Sequence, residues 1–312
     1  MKDKDSEKFI DIDKALKQLE HSIAELPDVD TSELRQKVKG LREELYRGIS
    51  RWERIEIARA FNRPGTQDFI NGIFTDFMEV HGDRIYGDDP AVIGGLAMLD
   101  SIPVVVIGHK KHSKGKKDYI QHNYGMAMPS GHHKAIRLMR LAERFGKPVI
   151  TFVDTPGAYP GPEAESQGQA FSIAQCISSI ASIKTPVISC IIGEAGSGGA
   201  LSIGFGDRII MLEHAFYSSI SPEGFSSIIF EDTYNRKRAA DVLKGSGSDL
   251  LEYGIVDHLI PEPTGGAHND PKSVIDATGK VIRFYLKELL SMDTETLLRN
   301  RAEKIEGLLP KT

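Results

Sequence analysis

Residues 193–201, with the sequence GEAGSGGAL, carry the strongest chemical signal in the chain, because four glycines fall within seven residues. Glycine allows backbone conformations that a side chain would forbid, and it leaves amide N–H groups uncovered near the start of a helix. A protein can build an anion or oxyanion site from such amides without any reactive side chain. Taken alone, the segment is also compatible with a glycine-rich turn that only packs a helix against a sheet.

Residues 154–161, with the sequence DTPGAYPG, form a second candidate loop. Two prolines and two glycines within six residues restrict its backbone. It follows the apolar run 149–153, which predicts a buried strand. Open parallel sheets bind their ligands at the carboxyl ends of their strands, so this loop is a candidate wall of a ligand pocket. The alternative is a purely structural crossover loop.

A basic stretch, residues 109–117 with the sequence HKKHSKGKK, follows the predicted strand 104–107. Such a loop could attract an anionic cofactor or carrier by long-range charge, whereas many exposed basic loops are only solvated. The lysines concerned are Lys110, Lys111, Lys114, Lys116 and Lys117.

Neither a metal site nor an ATP site is predicted from the motifs. His132 and His133 are adjacent, so on a helix they point in different directions, and no carboxylate stands at ligand spacing. Residues 193–200 imitate a phosphate-binding loop, but Gly199 and Ala200 stand where lysine and Ser or Thr are required.

The elements that must position these loops are short apolar runs, with helical patterns between the later ones. Strands that alternate with helices predict an α/β core with largely parallel strands. Thr66 is predicted to cap a helix that runs to about Val80. The predicted strands cover residues 91–99, 104–107, 149–153, 187–192 and 208–212, and further helices cover residues 134–144, 166–182, 271–290 and 293–309.

In the first fifty residues, apolar positions recur three and four apart among charged ones, which is typical of amphipathic helices. The pattern predicts a helical hairpin broken near residues 27–30. Its apolar stripe must be covered by the rest of the chain or by another subunit.

Length and composition limit the class of protein. With 312 residues, of which 40% are hydrophobic, the chain can bury a large core. No apolar run is long enough to cross a bilayer and the charged N-terminus does not read as a secretory signal, so we expect no membrane association and a cytoplasmic protein. The net charge of −5 argues against general nucleic-acid binding. Cys176 and Cys190 are expected to be core thiols.

Four segments, in this order, resemble the alpha subunits of the bacterial acetyl-CoA carboxylase carboxyltransferase family. They are residues 154–161, 193–201, 220–224 (ISPEG) and 260–268 (IPEPTGGAH). The resemblance extends over nearly the whole chain, including the N-terminal hairpin and residues 82–84 (GDR). The chain departs from the family at Ala195, where the family usually has glycine, and at residues 245–248, which fall in a variable segment.

The resemblance implies a crotonase-like (ClpP/crotonase) α/β fold, a superhelix of β-β-α units with an N-terminal helical hairpin and C-terminal helices. The implied reaction moves a carboxyl group from carboxybiotin on a carrier protein to acetyl-CoA and forms malonyl-CoA, at the start of fatty acid synthesis. The domain division expected on this basis is a hairpin region over residues 1–60, a carboxyltransferase core over 61–292, which could begin near residue 31, and a helical tail over 293–312.

The resemblance also implies partners. A carboxyltransferase beta subunit with a zinc ribbon would bind most of the CoA and complete an α2β2 heterotetramer. The biotin carboxyl carrier protein would bring carboxybiotin, and a separate biotin carboxylase would use the ATP. No metal is expected on this chain.

Carried over from the family, the backbone amides of Gly198 and Gly199 would form an oxyanion hole for the ureido oxygen of biotin. The residues expected to line the biotin pocket are Thr155, Pro156, Gly157, Ala158, Tyr159, Gly196 and Ser197. Two alternatives remain open: an acyl-CoA hydratase or isomerase of the same fold, and a catalytically silent scaffold subunit.

Overall fold

The computed structural model describes residues 4–26, 30–111 and 116–308. Within these ranges, all strands belong to one mixed sheet in the order β1-β2-β3-β4-β5-β6-β8, and β7 pairs with the end of β5. The strands are β1 (Thr75–Glu79), β2 (Val92–Leu99), β3 (Ile102–His109), β4 (Val149–Thr155), β5 (Val187–Gly196), β6 (Arg208–Leu212), β7 (Phe216–Ser218) and β8 (His258–Ile260).

The pairing of the sheet changes direction at β3. Strands β1, β2 and β3 pair antiparallel, whereas every later pair is parallel. The carboxyl ends of β3, β4 and β5 therefore lie at one edge of the sheet. Strands β4 and β5 are buried along their whole length, as expected for central parallel strands covered on both faces.

Helices cover both faces of the sheet. They are α1 (Lys4–Ala24), α2 (Ser32–Arg47), α3 (Arg51–Ala58), α4 (Thr66–Ile73), α5 (Lys116–Gln121), α6 (Pro129–Arg144), α7 (Pro162–Ser166), α8 (Gln169–Ser182), α9 (Ser197–Leu201), α10 (Pro222–Ile229), α11 (Arg236–Leu243), α12 (Gly247–Glu252), α13 (Pro271–Leu290) and α14 (Thr294–Gly307). Gly94 lies opposite Ile107 and faces Leu138 of α6, whereas the next residue of β3, Gly108, faces Thr66 of α4. Because successive strand residues point to opposite faces, α6 and α4 lie on opposite sides.

The predicted strands are confirmed, and β3, β4 and β5 are longer than predicted. Strand β5 continues past Ile192 to Gly196, because residues 194–196 pair with β7. The predicted glycine turn is therefore partly strand, and helix α9 begins directly at Ser197.

The predicted helix from Thr66 to about Val80 is wrong in its length and its cap. Helix α4 ends at Ile73, and residues 75–79 instead form the edge strand β1. The capping residue is Gly65, whose N–H donates to the Asp68 carboxylate at 2.8 Å. The Thr66 hydroxyl donates to the His109 carbonyl at 2.5 Å, so this side chain binds the sheet instead of capping the helix.

The N-terminal hairpin forms as predicted over the described residues, whereas its predicted break at residues 27–29 lies outside them. Phe9, Ile23 and Val38 are buried between the helices or against the core. Other apolar positions of the hairpin are exposed, namely Ile12, Leu19, Leu26, Leu34 and Leu41. Within the described ranges, no helix is both long enough and apolar enough to cross a bilayer.

Candidate active site

The glycine turn, residues 193–201, passes from β5 into α9 at the carboxyl edge of the sheet. Ser197 has a φ of 52°, in the left-handed region that side chains disfavour, and it stands between Gly196 and Gly198. Its side chain is exposed, Gly198 is half-buried and Gly199 is buried. A non-glycine residue held in this conformation at the edge of a sheet is typical of a functional turn.

The two loops predicted from the sequence meet backbone to backbone. A Cβ added to Gly196 would lie 2.1 Å from the carbonyl oxygen of Pro156. A Cβ added to Gly199 would lie 2.4 Å from the amide nitrogen of Ala158 and from the carbonyl carbon of Gly157. Both glycines are therefore required by the close approach of the 156–158 backbone.

Gly198 faces a different environment. A Cβ at this position would lie 3.3 Å from a methyl group of Ile173, which is a tight but adjustable contact. Gly198 and Gly199 belong to the first turn of α9, so their N–H groups have no carbonyl one turn earlier to bind. No hydrogen bond from either amide is found within the described part of the chain. Both amides therefore lack an internal acceptor among the described residues.

The loop after β4 is held by its own hydrogen bonds. The Thr155 hydroxyl donates to the Gly157 carbonyl at 2.7 Å and accepts from the Gly157 N–H at 3.1 Å. The Gln169 amide donates to the carbonyls of Ala127 and Tyr159 at 2.8 and 2.9 Å. The Tyr159 N–H donates to Ala127 at 3.0 Å. Thr155 through Tyr159 thus form a fixed wall beside the glycine turn.

A buried ionic network, made by Arg59, Lys111, Asp154 and Glu194, lies beneath this turn. The Asp154 carboxylate accepts from the Lys111 ammonium at 3.0 Å and from the Glu194 N–H at 3.1 Å. The Glu194 carboxylate accepts from the Arg59 guanidinium at 2.6 Å, and its other oxygen lies 3.7 Å from Lys111. Gly193 packs on Asp154, where a Cβ would lie 2.5 Å from a carboxylate oxygen. The network therefore fixes the backbone of β5 just before the turn.

Arg59 also ties the helical region to a third segment. Its guanidinium binds Glu223 at 2.6 Å. Burial raises the pKa of Glu223, but the hydrogen bond and ion pair with Arg59 lower the pKa by more than burial raises it. The pKa of Glu223 therefore lies below its usual value. The helix α10 begins here, with the Ser221 hydroxyl accepting from the Gly224 N–H at 3.1 Å. The helix thus begins within the 220–224 segment, and Glu223 acts as an ion-pair partner.

A second ion pair, which is fully buried, also contacts β5. The two terminal nitrogens of Arg63, Nη2 and Nη1, donate to the two carboxylate oxygens of Glu262 at 2.5 and 2.7 Å. The two side chains are 2% and 0% exposed. The Arg63 Nε also donates to the carbonyl of Ile192 at 2.7 Å. Glu262 belongs to the 260–268 segment, which is thereby joined to the strand that carries the glycine turn.

Of the lysines predicted to form one basic loop, only part can be placed. Lys111 is 9% exposed and its charge is compensated by two carboxylates, so it contributes little to a basic surface. Lys110 is half-buried. Lys114 lies outside the described residues, and Lys116 and Lys117 begin α5 with side chains that are likewise not described. The buried position of Lys111 could not be read from its basic neighbours.

Sequence reasoning also missed His109, at the end of β3. Burial lowers the pKa of His109 to about 3, and the imidazole hydrogen bonds to the backbone of Gly199. Burial likewise lowers the pKa of His132 to about 4. Both rings are therefore neutral at physiological pH. His109 contacts the glycine turn from below, and a single histidine at a strand end gives no signal of that contact.

The remaining predicted positions take ordinary structural places. Ala195 is buried in β5 and pairs with Thr155, so an alanine fits where relatives usually have glycine. Cys176 and Cys190 are free and buried, which confirms core thiols. Burial raises the pKa of Cys176 to about 12. Within the described ranges, no group of His, Cys, Asp or Glu side chains is arranged to hold a metal ion.

The fold matches solved carboxyltransferases. One is a transcarboxylase 12S structure with methylmalonyl-coenzyme A and methylmalonic acid bound, at a TM-score of 0.59 and 17% identity. The match covers 74% of this chain and 42% of that chain, so this chain spans about two fifths of the transcarboxylase chain. At this identity the likeness concerns the fold alone, and it confirms the predicted crotonase-like α/β architecture.

Sequence relatives are closer. The chain is 43% identical over 308 residues to the acetyl-coenzyme A carboxylase carboxyl transferase subunit alpha of Geobacter metallireducens, with 96% of both sequences covered. It is 45% identical over 309 residues to the subunit of the same name from Thioalkalivibrio sulfidiphilus, covering 96% and 97%. The profile described as acetyl co-enzyme A carboxylase carboxyltransferase-like matches residues 5–308. The chain therefore belongs to the acetyl-CoA carboxylase carboxyltransferase family.

Proposed function

We propose that this carboxyltransferase chain acts as the alpha subunit that receives carboxybiotin, from which a carboxyl group passes to acetyl-CoA to give malonyl-CoA. The observation that carries the proposal is the junction of the glycine turn with the 156–158 backbone. At this junction the amides of Gly198 and Gly199 have no acceptor within the described residues, and the chain belongs to a carboxyltransferase family.

The amides suit the chemistry of the transfer. Carboxybiotin supplies the carboxyl group, and loss of that group leaves negative charge on the ureido oxygen. Two fixed N–H donors aimed at such an oxygen stabilise the developing charge and lower the barrier. Gly198 and Gly199 can do this with main-chain atoms, so no nucleophile is needed at Ser197.

The wall formed by residues 155–159 would bound the biotin pocket. Its backbone is fixed by the Thr155 hydroxyl and by the Gln169 amide. A fixed wall orients the bicyclic ring system at little entropic cost during the reaction. Tyr159 is half-buried, and the hydrogen bond of its hydroxyl with Glu163 is the main cause that raises the pKa of Tyr159.

The proposed complex contains a beta subunit that binds most of the CoA, a biotin carboxyl carrier protein, and a biotin carboxylase that consumes ATP. The exposed leucines of the hairpin and the exposed Ile228 and Ile229 of α10 support association with other chains. Within the cell we propose a cytoplasmic location for this assembly.

The hydratase or isomerase alternative requires acid–base carboxylates that are free to exchange protons. Asp154 and Glu194, the carboxylates nearest the glycine turn in β4 and β5, are both buried and held by cationic partners. This observation favours carboxyl transfer over hydration.

The test mixes the purified chain with acetyl-CoA and free carboxybiotin, with and without the beta subunit, and measures malonyl-CoA. We expect product only when both subunits are present. Hydration or isomerisation of an enoyl-CoA by the chain alone would support the hydratase alternative. Full activity of the beta subunit without this chain would support the scaffold alternative.

A further inference from the structure

We propose that a basic pocket between α6, α8 and the loop after β1 binds a phosphate group. The pocket, of about 380 Å³, is lined by Arg84, Arg137 and Arg140 together with His133, Asp83 and Gln175. It shares no lining residue with the glycine turn or with the wall at residues 155–159. Its ligand is therefore distinct from the group that the turn would bind.

The three guanidiniums lack carboxylate partners in the part of the chain that the structure describes. Arg84 and Arg140 are exposed, and Arg137 is half-buried. Uncompensated guanidiniums around a concave surface make a positive potential that attracts anions. Three guanidiniums around one concave surface, without ion pairs in the described ranges, therefore favour an anionic partner from outside the chain.

The single acidic residue that lines the pocket compensates only part of this charge. The Asp83 carboxylate accepts from the N–H groups of Ile85, Tyr86 and Gly87 at 2.8 to 3.2 Å. Its oxygens are therefore occupied by the loop's own backbone. Its side chain is buried, and it lies 3.7 Å from the His133 ring.

The structure fixes the side chain of Arg137 and the backbone of Arg84. Arg137 donates from Nε and Nη2 to the Gly82 carbonyl at 2.9 and 2.6 Å, and from Nη2 to the His81 carbonyl at 2.9 Å. Arg84 has a φ of 71°, a left-handed conformation fixed by the turn that Asp83 caps. Such a conformation is disfavoured for a residue with a side chain, so the turn fixes the backbone of Arg84 while its side chain is exposed.

Phosphate fits this arrangement better than a single carboxylate. The guanidiniums of Arg84 and Arg140 each present a planar fork of donors that matches two phosphate oxygens, and a phosphate dianion can engage both forks at once. Arg137 uses Nε and Nη2 on backbone carbonyls and can add Nη1. The three arginines and one aspartate that line the pocket have a net charge of +2. That charge balances one phosphate dianion.

The position of the pocket connects it to the proposed active site. Gln169, which fixes the wall, and Gln175, which lines the pocket, both lie on α8. They are six residues apart, or about 9 Å of helix rise. The pocket and the wall are therefore close enough for a molecule of nucleotide size to extend from one to the other.

The test measures phosphate binding by calorimetry on the full-length chain assembled with its beta subunit. The probes are inorganic phosphate and adenosine 3′,5′-bisphosphate. The double variant Arg84→Gln/Arg140→Gln should weaken one binding event at least tenfold, because charge-assisted hydrogen bonds are lost. The matched control is Arg144→Gln, which removes the same charge from the same helix outside the pocket and should change binding less than twofold.

The probes separate the sources of the phosphate. Equal affinity for both probes would assign the pocket to free phosphate, and at least tenfold tighter binding of the bisphosphate would assign it to a nucleotide such as the end of CoA. The proposal is overturned if neither probe binds, or if the double variant binds both as the unaltered chain does. Because no turnover is measured, either outcome is independent of the proposed carboxyl transfer.

Discussion

The glycine turn has a closed side and an open side, and the two use the same residue type for different reasons. On the closed side, Gly196 and Gly199 touch the 156–158 backbone so closely that a Cβ would lie 2.1 to 2.4 Å from it. On the open side, Ser197 is exposed and Gly198 has a side chain, Ile173, as its nearest neighbour. The closed side determines the shape of the turn, and the open side presents it to a ligand.

The closed side also rests on more of the molecule. The ionic network of Arg59, Lys111, Asp154 and Glu194 fixes β5 beneath it, and His109 binds the Gly199 backbone. A change on this side should therefore alter both stability and activity. A change on the open side should alter activity alone.

Gly199→Val should produce the largest effect. Its side chain would displace the Gly157–Ala158 backbone and rotate an amide of the proposed oxyanion hole. We expect kcat to fall on the order of 10³-fold and the free energy of unfolding to fall by about 1–3 kcal/mol, as for an overpacked core. Steady-state kinetics and urea unfolding of the assembled complex measure the two losses. An unchanged free energy of unfolding would contradict the close contact between Gly199 and the 157–158 backbone.

Lys111→Met should destabilise the chain by about 3–5 kcal/mol, because it leaves the buried Asp154 carboxylate without its cation. The matched control is Lys110→Met, at the neighbouring half-buried lysine, which should cost about 0.5 kcal/mol or less. Urea unfolding of the full-length chain compares them. Equal losses in the two variants would contradict a structural role for the network.

The neutral His109 predicts a pH dependence of stability. Above pH 6.5 the imidazole is neutral in both the folded and the unfolded states, so its titration does not reduce the free energy of unfolding. Below pH 6.5 the unfolded state takes up a proton that the folded state refuses until about pH 3, so the free energy of unfolding falls as the pH falls through this window. His109→Gln keeps a donor but does not titrate, and its stability should fall less between pH 6.5 and pH 4. If the variant lost as much stability over this pH range as the unaltered chain, a group other than His109 would cause the pH dependence.

On the open side, Gly198→Ala should lower kcat by about tenfold or more, since its Cβ would crowd the ligand oxygen. The melting temperature should change little, because the nearest atom is a movable methyl group of Ile173. Ser197→Ala, the control, should change kcat by less than about threefold, since it removes a hydroxyl and keeps the amide. A loss at Ser197 as large as that at Gly198 would favour a side-chain mechanism.

The same contrast explains what could be predicted from the sequence. Strands β4 and β5 were predictable because continuous apolar runs identify strands buried on both faces. The two loops were predictable because glycine and proline restrict the backbone locally. Family resemblance then assigned the amides of Gly198 and Gly199. These features all depend on residues that are neighbours in the chain.

The supports of the closed side were not predictable, because they join distant residues. Arg59 meets Glu194 across 135 positions, and Lys111 meets Asp154 across 43. The edge strand β1 was missed for a related reason. Its pairing depends on Gly95, which lets the Met78 carbonyl approach so closely that a Cβ would lie 2.1 Å away. Nothing in residues 75–79 alone records that contact.

The central claim is that main-chain N–H groups stabilise the ureido oxygen, and an amide-to-ester change tests it most directly. Replacing Gly199 by glycolic acid removes one N–H and adds no side chain, so the close contact with residues 157–158 is kept. In the assembled carboxyltransferase we expect kcat to fall on the order of 10² to 10³-fold, with normal assembly and an unchanged KM for acetyl-CoA. The same ester at Gly254, an exposed turn away from the site, should be without effect on kcat. A Gly199 ester with unaltered kcat would contradict the account.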